Sequence, residues 1–398
     1  MKKVIALVLA LVMVFALCAC GSSDSGSSST AASSSDEKVV KIGVYEPLSG
    51  DNGAGGKQEV LGMQYANSVC STVEIGGETY KVELVISDNE SSTDKAVSAA
   101  SKLVSAGVSV VLGSYGSSVA IAGSDTFADA GIPAIGVTCT NPQVTEGNDH
   151  YFRICFLDPF QGTVQANFAH DELGANVAYC LGQLGNDYDQ GLINYFKEAA
   201  EALGMTVITE SFPEGNSDFT SYLTNAKNAG AEVIFAPTSI SYAQLIVEQS
   251  AAQGINIPIC APDTWDSNVV LAATQGTDLV VNVSTFYAEG GDPEFEEGIK
   301  AWINGNAEAL ANNGGNDMIA AVTVMGYDAY FTALEALKAA GSTAAADVLA
   351  VLPGVTYTGV CGSIAFDEVG DAIRDTAFIK RANTTDNVWD FVAAQTVG

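Results

Sequence analysis

From residue 39 onward, short runs rich in β-branched residues alternate with longer stretches whose apolar positions recur every three or four residues. VVKIGVY (39–45), YKVELVIS (80–87), VSVVLG (108–113) and IPAIGV (132–137) read as strands. Between them the pattern predicts helices near 56–70, from Ser92 or Thr93, and from about Ser117. In the second of these, Ala96, Val97, Ala100, Leu103 and Val104 share a face, and Gly107 is a natural stop. The same grammar restarts with NVAYCL (176–181), MTVITES (205–211), EVIFAP (232–237) and INIPICAP (255–262). Repeated βα units predict parallel sheets covered by helices on both faces, here two doubly wound α/β domains. In such sheets ligands bind at the carboxyl ends of strands, so function is expected in the strand-exit loops.

The first residues follow another rule. Lys2 and Lys3 precede an apolar run, Val4 to Leu17, that is short for a membrane span and has the charged start of an export signal. Ala19 before Cys20 resembles the lipobox of bacterial lipoproteins, which implies cleavage after residue 19 and lipid on Cys20. Residues 20–38 are mostly Ser, Gly and Ala and read as a flexible tether. The remaining 360 residues suit two domains, and 47% hydrophobic residues can fill both cores.

Charge narrows the partners. The formal net charge is −31, or −33 once Lys2 and Lys3 leave with the leader, which repels nucleic acid and anionic lipid headgroups. Nearly all these carboxylates read as solvated surface. Of eight cysteines, Cys18 and Cys20 belong to the leader, and the others are scattered without a C-x-x-C pair. They read mostly as core thiols, with one bridge left open.

Familiar catalytic patterns fail on inspection. The loop Gly50–Gln58 has Asp51 and Gln58 where a P-loop needs glycine and Ser or Thr. His150 and His170 lack a G-x-S-x-G elbow, and Asp187-Tyr188-Asp189 misses the EF-hand spacing. The sequence therefore predicts no enzyme, cofactor or metal.

KIGVYEPLSGDNGAGGKQ (41–58), VLGSYGSSVAIAGSDTFADAGIPAIGVTCTNPQVT (111–145), YFRICFLDPFQGT (151–163) and FDEVGD (366–371) resemble the branched-chain amino acid–binding proteins, the type I periplasmic binding proteins that serve ABC importers. The likeness runs over essentially the whole body from residue 39 and is most specific in its first half. It implies two Rossmann-like lobes joined by three hinge crossovers, near 157–160, 284–287 and 360–362. Residues 39–158 with 286–360 would form one lobe, and 159–285 with 361–398 the other.

The resemblance also implies a site. Ser117 matches the carboxylate-binding serine, although an N-cap is the plain alternative. Thr138 and Thr140 match the paired loop positions, one acting through its backbone and one through backbone and hydroxyl. Tyr188 matches a lid tyrosine, and Asp263 the acid that pairs with the ligand ammonium. Asp263 and Asp266 otherwise read as turn residues, and Trp265 as packing. Gly55 stands where some relatives carry an aromatic, and Tyr115 replaces an aliphatic residue and can refill the space. An expected tyrosine is missing where Ser239 lies.

The expectation is an extracytoplasmic, lipid-anchored monomer on the outer face of the bacterial membrane or in the periplasm. It would capture a neutral, branched-chain amino acid and deliver it to ABC permease subunits. A receptor of the same fold that senses an amide, peptide or aromatic acid is the alternative, and an exported α/β enzyme a third.

Overall fold

The computed structural model describes residues 37–396, so the signal segment, Cys20 and most of the tether lie outside the described residues. Strand β1 (Val39–Glu46) is buried along nearly its whole length, as a strand covered on both faces must be. It shares a six-stranded sheet with β2 (Thr72–Ile75), β3 (Glu78–Asp88), β4 (Val110–Gly113), β5 (Ala134–Gly136) and β6 (Tyr151–Arg153), in the order β2-β3-β1-β4-β5-β6. Ile42 lies opposite Leu84 on one side and Val110 on the other, both in parallel register.

The second sheet is built from β7 (Val177–Gln183), β8 (Thr206–Phe212), β9 (Val233–Phe235), β10 (Ile259–Ala261) and β11 (Val281–Thr285), all parallel. A separate hairpin, β12 (Thr356–Gly359) and β13 (Gly362–Ala365), follows. Then β14 (Thr376–Asn383) and β15 (Val388–Thr396) join the second sheet antiparallel, giving β15-β14-β11-β10-β9-β7-β8. The sequence pattern predicts parallel pairing only. At β2–β3 the antiparallel pairing arises because the connection, through Gly76 and Gly77 at φ +59° and +83°, is too short for a crossover.

The chain passes between the sheets three times: after Arg153, after Thr285, and after the hairpin that ends at Ala365. Phe156 and Phe286, on the first two passages, pack with ring centroids 4.2 Å apart and planes tilted by 33°. The returning helix Ala321–Ala340 packs along the helix Gly53–Val69, and Gly62 and Gly326 let the two backbones approach closely.

Two local expectations need correction. Helix Thr93–Ala106 ends at Gly107 in the left-handed region, φ 70°, but Val97 is 54% exposed. Its buried stripe is Ala96, Ala99, Ala100 and Leu103, because the 3.6-residue period carries Val97 off the inward face. Asp266 is no turn residue: it is buried in an ion pair with Lys380 at 2.7 Å and also accepts from Ala321 N–H. The six described cysteines are all free, with Cys139, Cys155, Cys180 and Cys260 buried. Among the described residues no helix is long and apolar enough to cross a membrane, and no cluster of His, Cys, Asp and Glu could hold a metal ion.

Candidate functional site

The carboxyl ends of β4 and β5 bring three of the expected residues together. Ser117 is the first residue of the helix Ser117–Asp129, whose cap position is Gly116, so it is not a side-chain N-cap. Its hydroxyl accepts from Asn141 N–H at 3.2 Å, which ties it to the loop carrying Thr138 and Thr140. That loop is clamped from below by Arg153. The buried guanidinium donates to the carbonyls of Cys139 and Asn141 and to Asp371, the last at 2.7 Å. A bidentate or forked guanidinium of this kind fixes loop geometry more firmly than a single amine could.

The hydroxyls of Thr138 and Thr140 differ in their surroundings. The Thr138 hydroxyl is committed to Glu59, donating at 2.6 Å, and only its backbone is left for another group. The Thr140 hydroxyl is fully buried without a hydrogen-bond partner.

The second sheet supplies the facing wall. Asp263 follows β10, is 1% exposed, and accepts hydrogen bonds from Tyr188 Oη and Gln161 Nε2, each at 2.8 Å. Burial is the main cause that raises its carboxyl to about 6. Tyr188 enters from the start of the helix Asp187–Ala202, which Asn186 caps through Tyr188 N–H and Asp189 N–H. Trp265 lies in the core of the second sheet, fully buried, and does not line the cleft.

Three carboxyls were not legible as site groups. Against the expectation of a solvated acidic surface, Glu46, Glu59 and Asp158 are all 0% exposed. Asp158 stands on the first passage between the sheets; its N–H donates to Thr140 C=O at 3.1 Å, and neither carboxylate oxygen has a partner. Burial pushes its carboxyl up to about 8, which the nearby Asp263 charge reinforces against the Thr140 hydroxyl and Arg153. Burial likewise raises Glu59 to about 7 and Glu46 well above its ordinary value. Glu46 and Glu59 touch through one oxygen each, a contact that requires one of them to carry a proton. The only sequence signal for these acids was a Glu closing a strand, a Glu inside a helix and an Asp before Pro. Nothing in that pattern distinguishes them from surface acids.

The two walls meet around a cavity of about 230 Å³, whose lining includes Tyr115, Ser117, Tyr188 and Ser239. Thr138, Thr140, Asp263 and Trp265 are not part of that lining. Two sets of bonds close it. On one side Asn52 Oδ1 accepts from Ile240 N–H and Asp51 Oδ1 from Ser241 Oγ. On the other, Ser118 Oγ accepts from Asp187 N–H, and Asn141 Nδ2 donates to Asp187 C=O. Tyr115 crosses the middle: its N–H donates to Glu46 at 2.7 Å and its hydroxyl to Thr264 C=O at 3.1 Å. A Cβ built on Gly55 would lie 2.5 Å from Tyr115 Cζ, so the tyrosine ring fills the space the glycine leaves. The arrangement can hold one cationic and one anionic group side by side: acids and carbonyls beside Asp263, hydroxyls and helix N–H groups beside Ser117.

A family model described as periplasmic binding protein matches residues 39–386. The Leu/Ile/Val-binding protein homolog 1 of Brucella suis biovar 1 (strain 1330) is 30% identical over 338 residues, covering 83% of this chain and 87% of that protein. The crystal structure of a leucine-binding protein from Thermotoga maritima MSB8 aligns with a TM-score of 0.78 at 28% identity, covering 90% of this chain and 99% of the other. A branched-chain amino acid transporter substrate-binding protein of Streptococcus pneumoniae, solved in complex with isoleucine, gives 0.77 at 25% identity over the same shares.

Proposed function

Because this chain belongs to the periplasmic binding protein family, whose members matched here bind solutes outside the cytoplasm and are not enzymes, we propose that it captures an α-amino acid between its two lobes and hands it to an ABC importer. The observation that carries this reading is a pair of fully buried polar groups, the Asp158 carboxyl and the Thr140 hydroxyl beside it, which make no well-formed hydrogen bond and lie close to Asp263 at the junction of the two sheets. Groups buried in this way are costly unless a partner arrives, and an ammonium supplies three donors at once. Ser117 and the first N–H groups of its helix would take the carboxylate. Asp158 joins Asp263 as an ammonium partner in this reading, with Thr138 acting through its carbonyl. The relatives direct attention first to leucine, isoleucine and valine.

A ligand that binds only the folded form raises the midpoint of thermal unfolding; at a hundredfold excess over Kd the gain is about 2.7 kcal/mol. A screen of the amino acids is therefore expected to yield at least one that raises the midpoint by several degrees. Silence across all of them would remove the amino-acid reading in favour of an amide, peptide or aromatic acid sensed by the same fold.

The anchor is a separate part of the proposal, resting on Lys2, Lys3, the apolar run and Ala19-Cys20. Cells expressing the chain should incorporate labelled palmitate into it, and Cys20→Ser should abolish the label. Label persisting in that variant would dismiss Cys20 as the attachment point.

A further inference from the structure

The cavity described above shares Ser117 and Tyr188 with the proposed site, and Tyr188 bonds to Asp263, so an amino acid held by those residues would have this cavity as the space beside it for its side chain. Two features fix its inner wall. Gly55 contributes no side chain, and Tyr115 occupies the vacated space, held at its N–H by Glu46 and at its hydroxyl by Thr264. With its backbone tied to Glu46 and its hydroxyl to Thr264, the ring cannot swing away to admit a bulky aliphatic group without breaking the Thr264 bond.

Beyond Tyr115 the walls are polar. Asn52, Ser91, Asn186 and Ser239 present amides and hydroxyls, and the charges on the lining are all acidic, from Asp51, Asp94 and Glu214. No Lys or Arg is among the lining residues. Aliphatic carbon comes from Val119 and from Leu184, which is 67% exposed.

A leucine side chain gains free energy from burial only when carbon surrounds it, roughly 1.5–3 kcal/mol in full. Here it would strip water from hydroxyls and carboxylates and return no hydrogen bonds. An acidic side chain would face like charge. A hydroxyl, amide or cationic group would meet hydroxyls and carboxylates able to accept from it, such as Ser239, Asp94 and Glu214.

We infer that the ligand is an α-amino acid with a hydrogen-bond-donating, non-acidic side chain, and that Tyr115 and Ser239 set this preference. The inference rests on the amino-acid reading and narrows it.

Calorimetry on the purified protein tests it, with serine, threonine, asparagine, glutamine, lysine and arginine titrated beside leucine, isoleucine, valine and glutamate. At least one of the first six is expected to bind roughly tenfold or more tighter than any of the last four. Ser239→Val is expected to shrink that ratio, because it trades a wall hydroxyl for carbon. Leucine, isoleucine or valine binding tightest would overturn the inference and leave the amino-acid reading intact. No heat from any of the ten would also overturn the inference, and the thermal screen across all the amino acids then decides the reading on which it rests.

Discussion

Asp263→Ala is expected to weaken amino-acid binding by ~2–5 kcal/mol, roughly thirtyfold to several-thousandfold, while the protein still folds. The carboxylate is 1% exposed and held in place by Tyr188 and Gln161, so it meets a ligand ammonium already oriented and already stripped of water. Removing it leaves the ammonium buried with fewer charged partners, and the penalty is the desolvation of that cation rather than the loss of one contact. Folding should not suffer, because the variant deletes a carboxyl whose burial is itself unfavourable. Asp263→Asn separates shape from charge: it preserves volume and one acceptor oxygen, and is expected to lose nearly as much affinity as alanine. Calorimetry with the amino acid found in the thermal screen measures both. Unchanged affinity in the alanine variant would remove Asp263 from the site.

The second large effect is on stability. The ligand-free protein is expected to become less stable as pH rises from about 4 to about 8. Asp263, Glu59 and Asp158 are raised by burial to about 6, about 7 and about 8, above the ordinary carboxylate range. Between those two limits the native state holds more protons than the unfolded chain, so stability falls with rising pH. The contribution is fully present below the unfolded values and is gone once pH passes the folded ones. Each such group costs about 1.4 kcal/mol per pH unit while only the unfolded chain ionises it. Glu46 acts in the same direction through its contact with Glu59, and Arg153 opposes the shift at Asp158. Urea denaturation at a series of pH values measures the slope. Glu59→Gln and Asp158→Asn should each flatten it, and so should saturating ligand, since an ammonium favours the ionised acids. A profile that rises from pH 4 to 8 would contradict the burial of these three groups in the ligand-free protein.

The two expectations share one cause. The interior surface between the two sheets is richer in carboxyls than in cations able to offset them. Arg153 is committed to Asp371 and two carbonyls, and Lys380 to Asp266. The molecule thus holds an electrostatic deficit around Asp263, Asp158, Glu59 and Glu46. That deficit makes a cation welcome and makes an empty closed form expensive at neutral pH.

How much of this was written in the sequence differs between scaffold and site. Strand identity was legible wherever a β-branched run was bracketed by glycine or polar turns, as in VVKIGVY and NVAYCL, because a strand buried on both faces must be apolar at nearly every position. The stop at Gly107 was legible for an equally local reason, the left-handed φ that glycine alone adopts freely. Ser117, Thr140 and Asp263 could be singled out because they match positions of the family resemblance; that each follows a strand agrees with this, but by themselves Ser117 reads as an N-cap and Asp263 as a turn residue. The burial of Glu46, Glu59 and Asp158 could not be read, nor the ion pair of Asp266 with Lys380, 114 positions away. A carboxylate looks the same in sequence whether water or a second sheet surrounds it. Its environment is set by segments far apart in the chain, as when Tyr115 reaches Thr264, 149 positions on, or Asp51 meets Ser241, 190 positions on. Local chemistry determined which elements form; only the folding of one sheet's loops against the other's decided which acids lose their water, and with that the charge and shape of what the cleft can accept.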